Sequence, residues 1–243
     1  MSQLRSIQDA LVEATSKSRN CMEVGGCIAM LTDDPLVWLN YAVPLREMTA
    51  QDARDLKDHF IANKRRPRLE LFQDLWPESC RSLESEGFIC THKMPVMTLD
   101  ATDYMPNETS ARLANPGDGW TLEQIQAQAF NGSPSEERAK STDENLANGS
   151  LLASITEIDS TPVACGFGIG TREIKEIAGI GTLEAYRRRG AARAVIAVLL
   201  NKFFEDGGKI AWLTPGDDGA QSLYSSIGFQ PNATQVCYEY PGQ

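Results

Sequence analysis

The chain has 243 residues, 42% hydrophobic and 23% charged, which supports one large globular domain or two small ones and excludes a disordered protein. Its formal net charge of -10, from 33 acidic and 23 basic residues, argues against a nucleic-acid binder and suits a cationic small-molecule substrate. No apolar run approaches the ~18 residues a membrane span needs, so a soluble, cytoplasmic protein without a membrane partner is expected.

The N-terminal segment sets Leu4, Ile7 and Leu11 at helical spacing around Asp9 and Glu13, an amphipathic helix rather than a signal peptide. Val37 to Val43 reads as a strand, Thr49 to Ala62 as a helix, Arg68 to Phe72 as a strand and Pro77 to Glu86 as a helix. Gly87-Phe88 and a strand to Leu99 follow. Thr102 to Gly119 is rich in turn formers, which makes it a linker. Beyond it, Thr121 can cap a helix bearing Leu122, Ile125 and Ala129, and the polar stretch from Ser133 reads as a second helix or lid. Leu151 to Ile158 and Val163 to Thr171 form a hairpin through Asp159 to Pro162. Ile174 to Leu183, Gly190 to Glu205, Lys209 to Thr214, Asp217 to Ile227, Gly228-Phe229 and a strand to Tyr240 then repeat the element order of the first half. The reading is an α/β fold with a mixed sheet, divided into residues 1–101, a linker over 102–119, and 120–243.

Six dispersed cysteines, with no C-x-x-C pair, are expected to be reduced and partly buried rather than paired. His59 and His92 lack ligand-spaced partners, so no metal is expected.

One stretch concentrates chemistry. Tyr186-Arg187-Arg188-Arg189-Gly190-Ala191-Ala192 places three cations ahead of an apolar helix, although a helix N-terminus already disfavours cations by roughly 0.3–1 kcal/mol each. Gly190 leaves the first-turn N–H groups approachable, and Arg187, Arg188, Arg189 and Arg193 could balance a phosphate there. The alternative is a solvated, charged helix entry. The Gly166 to Thr171 run fails as a dinucleotide fingerprint because Thr171 stands at the third glycine and a strand follows. The glycines between Gly166 and Gly181 either relieve crowding in a sheet or admit a ligand close to the backbone.

Arg187-Arg188-Arg189-Gly190-Ala191-Ala192 resembles the pyrophosphate-binding R-x-x-G-x-A motif of the GNAT superfamily, the acyl-CoA-dependent N-acetyltransferases. Asp217-Asp218-Gly219-Ala220-Gln221-Ser222-Leu223-Tyr224-Ser225-Ser226-Ile227-Gly228-Phe229 is similar to the family's closing signature. The resemblance covers about Trp120 to Tyr240 and implies a GNAT fold with acetyl-CoA or another acyl-CoA as co-substrate.

It also implies roles. Ile180, Gly181 and Thr182 would offer backbone groups to the pantetheine arm, with the Gly181 N–H suited to polarising the thioester carbonyl. Ala191 and Ala192 would line the phosphate turn. Tyr224 would protonate the departing thiolate, although a packed core tyrosine reads equally from spacing. Glu176 would be the general base, with Glu173 and Asp218 as fallbacks and a solvent-facing strand residue as the plain reading. Asp217 replaces the family's usual Asn, leaving its pantetheine contact in doubt. The first half has Arg46-Glu47-Met48-Thr49-Ala50 at the equivalent turn, with no glycine, and reads as a degenerate GNAT-like half that does not bind CoA. Trp38, Asn40 and Tyr41 are its candidate acceptor-pocket residues, with core packing the alternative for Trp38. The expected reaction is direct acyl transfer to a primary amine of a small molecule. The other reading is a non-catalytic, CoA-binding regulatory protein.

Overall fold

The structure, a computed structural model, describes residues 2–16, 20–34, 36 and 39–241. The chain divides into two compact units. The first takes residues up to Met97, Thr214–Asp218 and the chain from Pro231; the second takes Thr98–Leu213 and Gly219–Gln230.

In chain order the first half supplies α1 (Gln3–Ser16), β1 (Asn20–Val24), β2 (Cys27–Leu31), β3 (Tyr41–Pro44), α2 (Ala50–Ala62), β4 (Arg68–Phe72), α3 (Pro77–Ser85) and β5 (Ile89–Asp100). The second supplies β6 (Arg112–Leu113), α4 (Gly119–Ala129), α5 (Glu136–Ala147), β7 (Leu152–Ile158), β8 (Thr161–Gly170), β9 (Ile174–Thr182), α6 (Ala191–Glu205), β10 (Ile210–Leu213), α7 (Asp218–Ile227) and β11 (Gln230–Glu239). This is a mixed α/β architecture, its strands flanked by helices.

In the first unit the strand order is β1-β2-β3-β4-β11-β5, with β3 and β4 parallel. β1 and β2 form a hairpin across Gly25 and Gly26, both at positive φ, a two-residue Gly-Gly turn that the strand reading passed over. Val37 and Trp38, at the head of the strand expected over Val37 to Val43, lie outside the described residues. The other two expected acceptor-pocket residues, Asn40 and Tyr41, are described. Asn40 is buried, its amide donating to the Asp34 and Leu36 carbonyls while its oxygen accepts from Thr32 N–H. Tyr41 packs in a core cluster with Met30 and Val43.

In the second unit the order is β10-β9-β8-β7-β6, with β9 and β10 parallel and the other pairs antiparallel. The hairpin turn is tighter than read. Asp159 and Ser160 alone form it, both at positive φ, and Thr161 already pairs with Ile158. Pro162 enters the strand opposite a register shift at Thr156/Glu157, where its missing N–H does least harm. Helix α4 starts at Gly119 rather than at a Thr121 cap: Asp143 of α5 accepts from the Gly117 and Gly119 N–H groups, so a tertiary carboxylate does the capping.

Two observations bear on the expected division of the chain. The turn-rich stretch after β5 belongs to the second unit and is tied to α6. Tyr104 Oη donates to Asn201 Oδ1 at 2.6 Å, and Thr109 Oγ1 donates to the Ala194 carbonyl at 3.0 Å. And β11, read as the last strand of the second half, pairs antiparallel with β4 in the first unit, Gln235 opposite Phe72 through Glu239 opposite Arg68. Its buried run Gln235–Tyr238 helps complete the first unit's core, where Val236 and Tyr238 join Leu69, Leu71 and Phe60.

Candidate active site

The site is built on β9 and the turn that follows it. β9 pairs with β10 only from Ile174 to Glu176; beyond that rung β9 continues to Thr182 past the end of its ladder with β10. On its other side β9 breaks register with β8. Cys165 faces Gly181, but Phe167 faces Ala178, so Gly179 and Ile180 together oppose Gly166. This is a β-bulge. Three glycines make it possible. Gly179 has φ of +58°, a left-handed conformation that costs other residues roughly 1–2 kcal/mol. A Cβ on Gly166 would lie 2.3 Å from Ile180 Cδ1, and one on Gly181 would lie 3.0 Å from Ala129 Cβ. The first reading of these glycines holds at Gly166, which relieves crowding, while the left-handed Gly179 lets the backbone leave the sheet.

The chain then turns through a 3-10 segment, Glu184–Tyr186, into α6. Arg188 has φ of 65° and Gly190 φ of 84°, while Arg187 between the 3-10 segment and Arg188 is extended. Left-handed residues within such a turn swing successive N–H groups toward one side, a concavity suited to an anion. Gly190 is the N-cap of α6 and has no side chain to occupy it, and a Cβ there would meet nothing within 4 Å. Arg187, Arg188 and Arg189 are exposed. Arg187 Nε donates to the Thr182 carbonyl at 3.3 Å, tying the turn to β9, and the Arg189 guanidinium sits 5.4 Å from the Tyr186 ring. Among the described residues no salt bridge engages any of the three. Arg193 instead reaches α7, its Nη2 donating to Ser226 Oγ at 2.5 Å.

Helix α6 is held rigidly behind this turn. Val195, Ile196, Leu199 and Phe203 are buried, each contributing roughly 1.5–3 kcal/mol. From β7, Thr156 Oγ1 donates to the Ala191 carbonyl at 3.2 Å and Ser154 Oγ to the Val195 carbonyl at 3.0 Å. Gly207, at φ of 90°, follows the C-cap Asp206 and ends the helix. A cleft of about 250 Å³ opens beside the turn, lined by Gly190, Arg193, Ala194 and Ala197 with Tyr104 and Thr109.

The equivalent turn of the first unit is chemically opposite. Asp52 and Thr49 form a reciprocal capping box at the start of α2, and Arg46 clamps both oxygens of Asp52 at 2.8 Å. Chiefly through that Arg46 hydrogen bond, the Asp52 carboxyl is held well below the usual carboxylate range. This helix start carries its own anion. Asp52→Asn is expected to destabilise the protein by about 1–3 kcal/mol at pH 7. Because the folded-state carboxyl titrates lower than the unfolded one, this contribution is complete above the unfolded value and fades as pH falls below about 4. Urea denaturation at pH 7 and pH 3 checks it: the difference between the two proteins should be full at pH 7 and smaller but still present at pH 3, because the folded-state carboxyl titrates well below that pH.

The sequence profile of the acetyltransferase (GNAT) family matches residues 120–229. Residues 120–229 form a GNAT acetyltransferase domain. A GCN5-related N-acetyltransferase from Kribbella flavida is 25% identical, with a TM-score of 0.81 over 100% of this chain and 97% of its own. A GCN5-related N-acetyltransferase from Sphaerobacter thermophilus, 18% identical, shares the fold with a TM-score of 0.64 over 90% of this chain and 78% of its own. A search of curated proteins found no match to the chain.

Within the GNAT domain, Glu176 is half-buried on β9, opposite Trp212 of β10 and Ile169 of β8, on the last rung before β9 and β10 part. Glu173, its fallback, is exposed and ion-paired with Lys209 at 2.7 Å. Tyr224 on α7 is 8% exposed, its ring 6.3 Å from that of Phe229. Asp217 is exposed and lies in the segment Thr214–Asp218 of the first unit. Ile180, Gly181 and Thr182 fall on the bulge and the stretch just after it. Missing from the sequence reading was Gln126 of α4, whose Nε2 donates to the Gly179 carbonyl at 2.5 Å and to Cys165 Sγ at 3.1 Å. Its only trace in the sequence is a polar residue within the apolar stripe of Leu122, Ile125 and Ala129.

No group of three or more potential metal-ligating side chains occurs among the described residues. Cys27, Cys80, Cys165 and Cys237 are buried, and burial pushes the Cys165 thiol up to about 12 and that of Cys237 up to about 11. Neither is a thiolate at neutral pH. No helix among the described residues is long and apolar enough to cross a membrane.

Proposed function

We propose that this protein transfers an acetyl group from acetyl-CoA directly to a primary amine of a small molecule. One observation carries the reading: a helix N-terminus capped only by glycine and ringed by unpaired arginines stands at the end of a bulged strand whose far edge has lost its ladder partner. The first feature suits a pyrophosphate, and Arg187, Arg188, Arg189, Gly190, Ala191 and Ala192 would hold it. The second suits an amide-bearing arm that completes the sheet edge, as pantetheine would along Ile180, Gly181 and Thr182.

In this mechanism the Gly181 N–H polarises the thioester carbonyl. An amine of ordinary pKa is only about 0.04% neutral at pH 7, a penalty of roughly 4.6 kcal/mol, so a base is needed. Glu176, at the fork of β9 and β10, removes that proton directly or through water. The free amine attacks the carbonyl carbon, the tetrahedral intermediate collapses, and Tyr224 protonates the departing thiolate. The raised thiol pKa values speak against a covalent acyl-cysteine. The net charge of -10 favours a cationic acceptor.

Calorimetric titration of the full chain with acetyl-CoA tests the reading. The wild type should bind with micromolar affinity, and an Arg187→Ala, Gly190→Glu variant should not bind, because it loses a cation and places a carboxylate where the phosphates belong. A folded wild type that binds no acetyl-CoA would overturn the proposal. Binding without turnover against an amine panel would favour the regulatory, non-catalytic reading.

A further inference from the structure

We propose that Gln126 is a positioning residue that sets the direction of the β9 bulge, and through it of the backbone groups that meet the acyl thioester. This inference rests on the acyl-CoA reading above.

A glycine at φ of +58° has no steric reason to stay there, since it populates both halves of φ space about equally. Something outside the strand must hold it. In a regular strand the carbonyl lies in the sheet plane, but the Gly179 carbonyl is drawn to α4 by Gln126 Nε2 at 2.5 Å. Because the peptide is planar and trans, the N–H of Ile180 then points away from α4. One contact thus fixes the orientation of the peptide at the centre of the bulge.

The carboxamide has two N–H hydrogens, and both find acceptors. The second goes to Cys165 Sγ at 3.1 Å, and that thiol lies 3.9 Å from the Leu122 carbonyl, also on α4. Cys165 is the β8 residue opposite Gly181, so Gln126 grips both strands where their register breaks. The same helix face covers the bulge closely, with Ala129 Cβ 3.0 Å and Phe130 Cε2 3.3 Å from where a Gly181 Cβ would stand. A residue that only filled space would need neither donor.

The test uses the full chain with acetyl-CoA labelled with carbon-13 at the thioester carbonyl, read by isotope-edited infrared spectroscopy, alongside calorimetric affinity. Gln126→Met keeps length and volume without a donor; Gln126→Glu keeps the shape but sets a carboxylate oxygen against the Gly179 carbonyl. The wild-type complex should show the carbonyl stretch lowered from its value in solution. Both variants should still bind acetyl-CoA, because the phosphate turn is untouched, but the shift should be largely lost. Hydrogen exchange without ligand should quicken at the Ile180 and Gly181 amides while the β7–β8 hairpin keeps its protection. Variants that bind acetyl-CoA with the wild-type carbonyl frequency, or whose bulge amides exchange at wild-type rates, would overturn the inference. If the wild type itself binds no acetyl-CoA, the functional reading fails instead, and the ligand-free exchange comparison still decides the role of Gln126.

Discussion

Tyr224→Phe is expected to lower kcat by roughly 10²–10³-fold, the range of a general acid, while leaving the affinity for acetyl-CoA unchanged. The ring is 8% exposed and packs 6.3 Å from Phe229, so phenylalanine preserves the packing and removes only the hydroxyl. The defect should also depend on pH. A thiol of pKa about 8.5 leaves as a thiolate without help once the solution is more basic than that, so the variant should recover part of its deficit as pH rises. Turnover followed by free-thiol release, with whichever amine of the panel is accepted, gives both readouts. A variant with wild-type kcat would leave Tyr224 a core tyrosine, as its spacing with Ala220, Leu223 and Ile227 also allows.

The second large effect concerns the bulge. Gly179→Val should destabilise the protein by about 2–5 kcal/mol, combining the left-handed penalty of a β-branched residue with overpacking. The added Cβ would sit 2.9 Å from Phe167 Cδ2. Phe167 lies on β8 beside the register break, so relief by moving its ring would disturb the strand pairing that defines the bulge. Chemical denaturation gives the stability. In protein that remains folded, acetyl-CoA should still bind through the phosphate turn while acyl transfer falls by roughly 10²-fold, the cost of misplacing reacting groups by about an ångström. Wild-type stability and activity would mean that the backbone at Gly179 does not need its left-handed conformation.

The sequence by itself determined what is written within a few consecutive residues. Arg68–Phe72 is a strand with the bounds its alternation indicates. Thr49 starts α2 because an N-cap needs a side-chain oxygen and a carboxylate three residues on, and both are there. Gly190 opens α6 at φ of 84°, in the left-handed region that favours glycine. Three consecutive arginines ahead of a helix N-terminus were legible as a charge cluster that the helix dipole disfavours.

Only the tertiary structure decided features that join distant segments. Strand alternation reads the same for any neighbour, so nothing local in β11 says that it pairs with β4 in the first unit. Asn40 and Tyr41 could be read as pocket residues because polarity and aromaticity look alike in a pocket and in a satisfied interior; only folding surrounds Asn40 with hydrogen-bond partners and packs Tyr41 against Met30 and Val43. The turn-rich stretch around Tyr104 and Thr109 looked free because its anchors are carbonyls and an amide far away on α6. Gln126 was invisible for the same reason. Its partners lie on β8 and β9, and a single polar residue on a helix face acquires meaning only when folding brings a left-handed glycine and its carbonyl within reach.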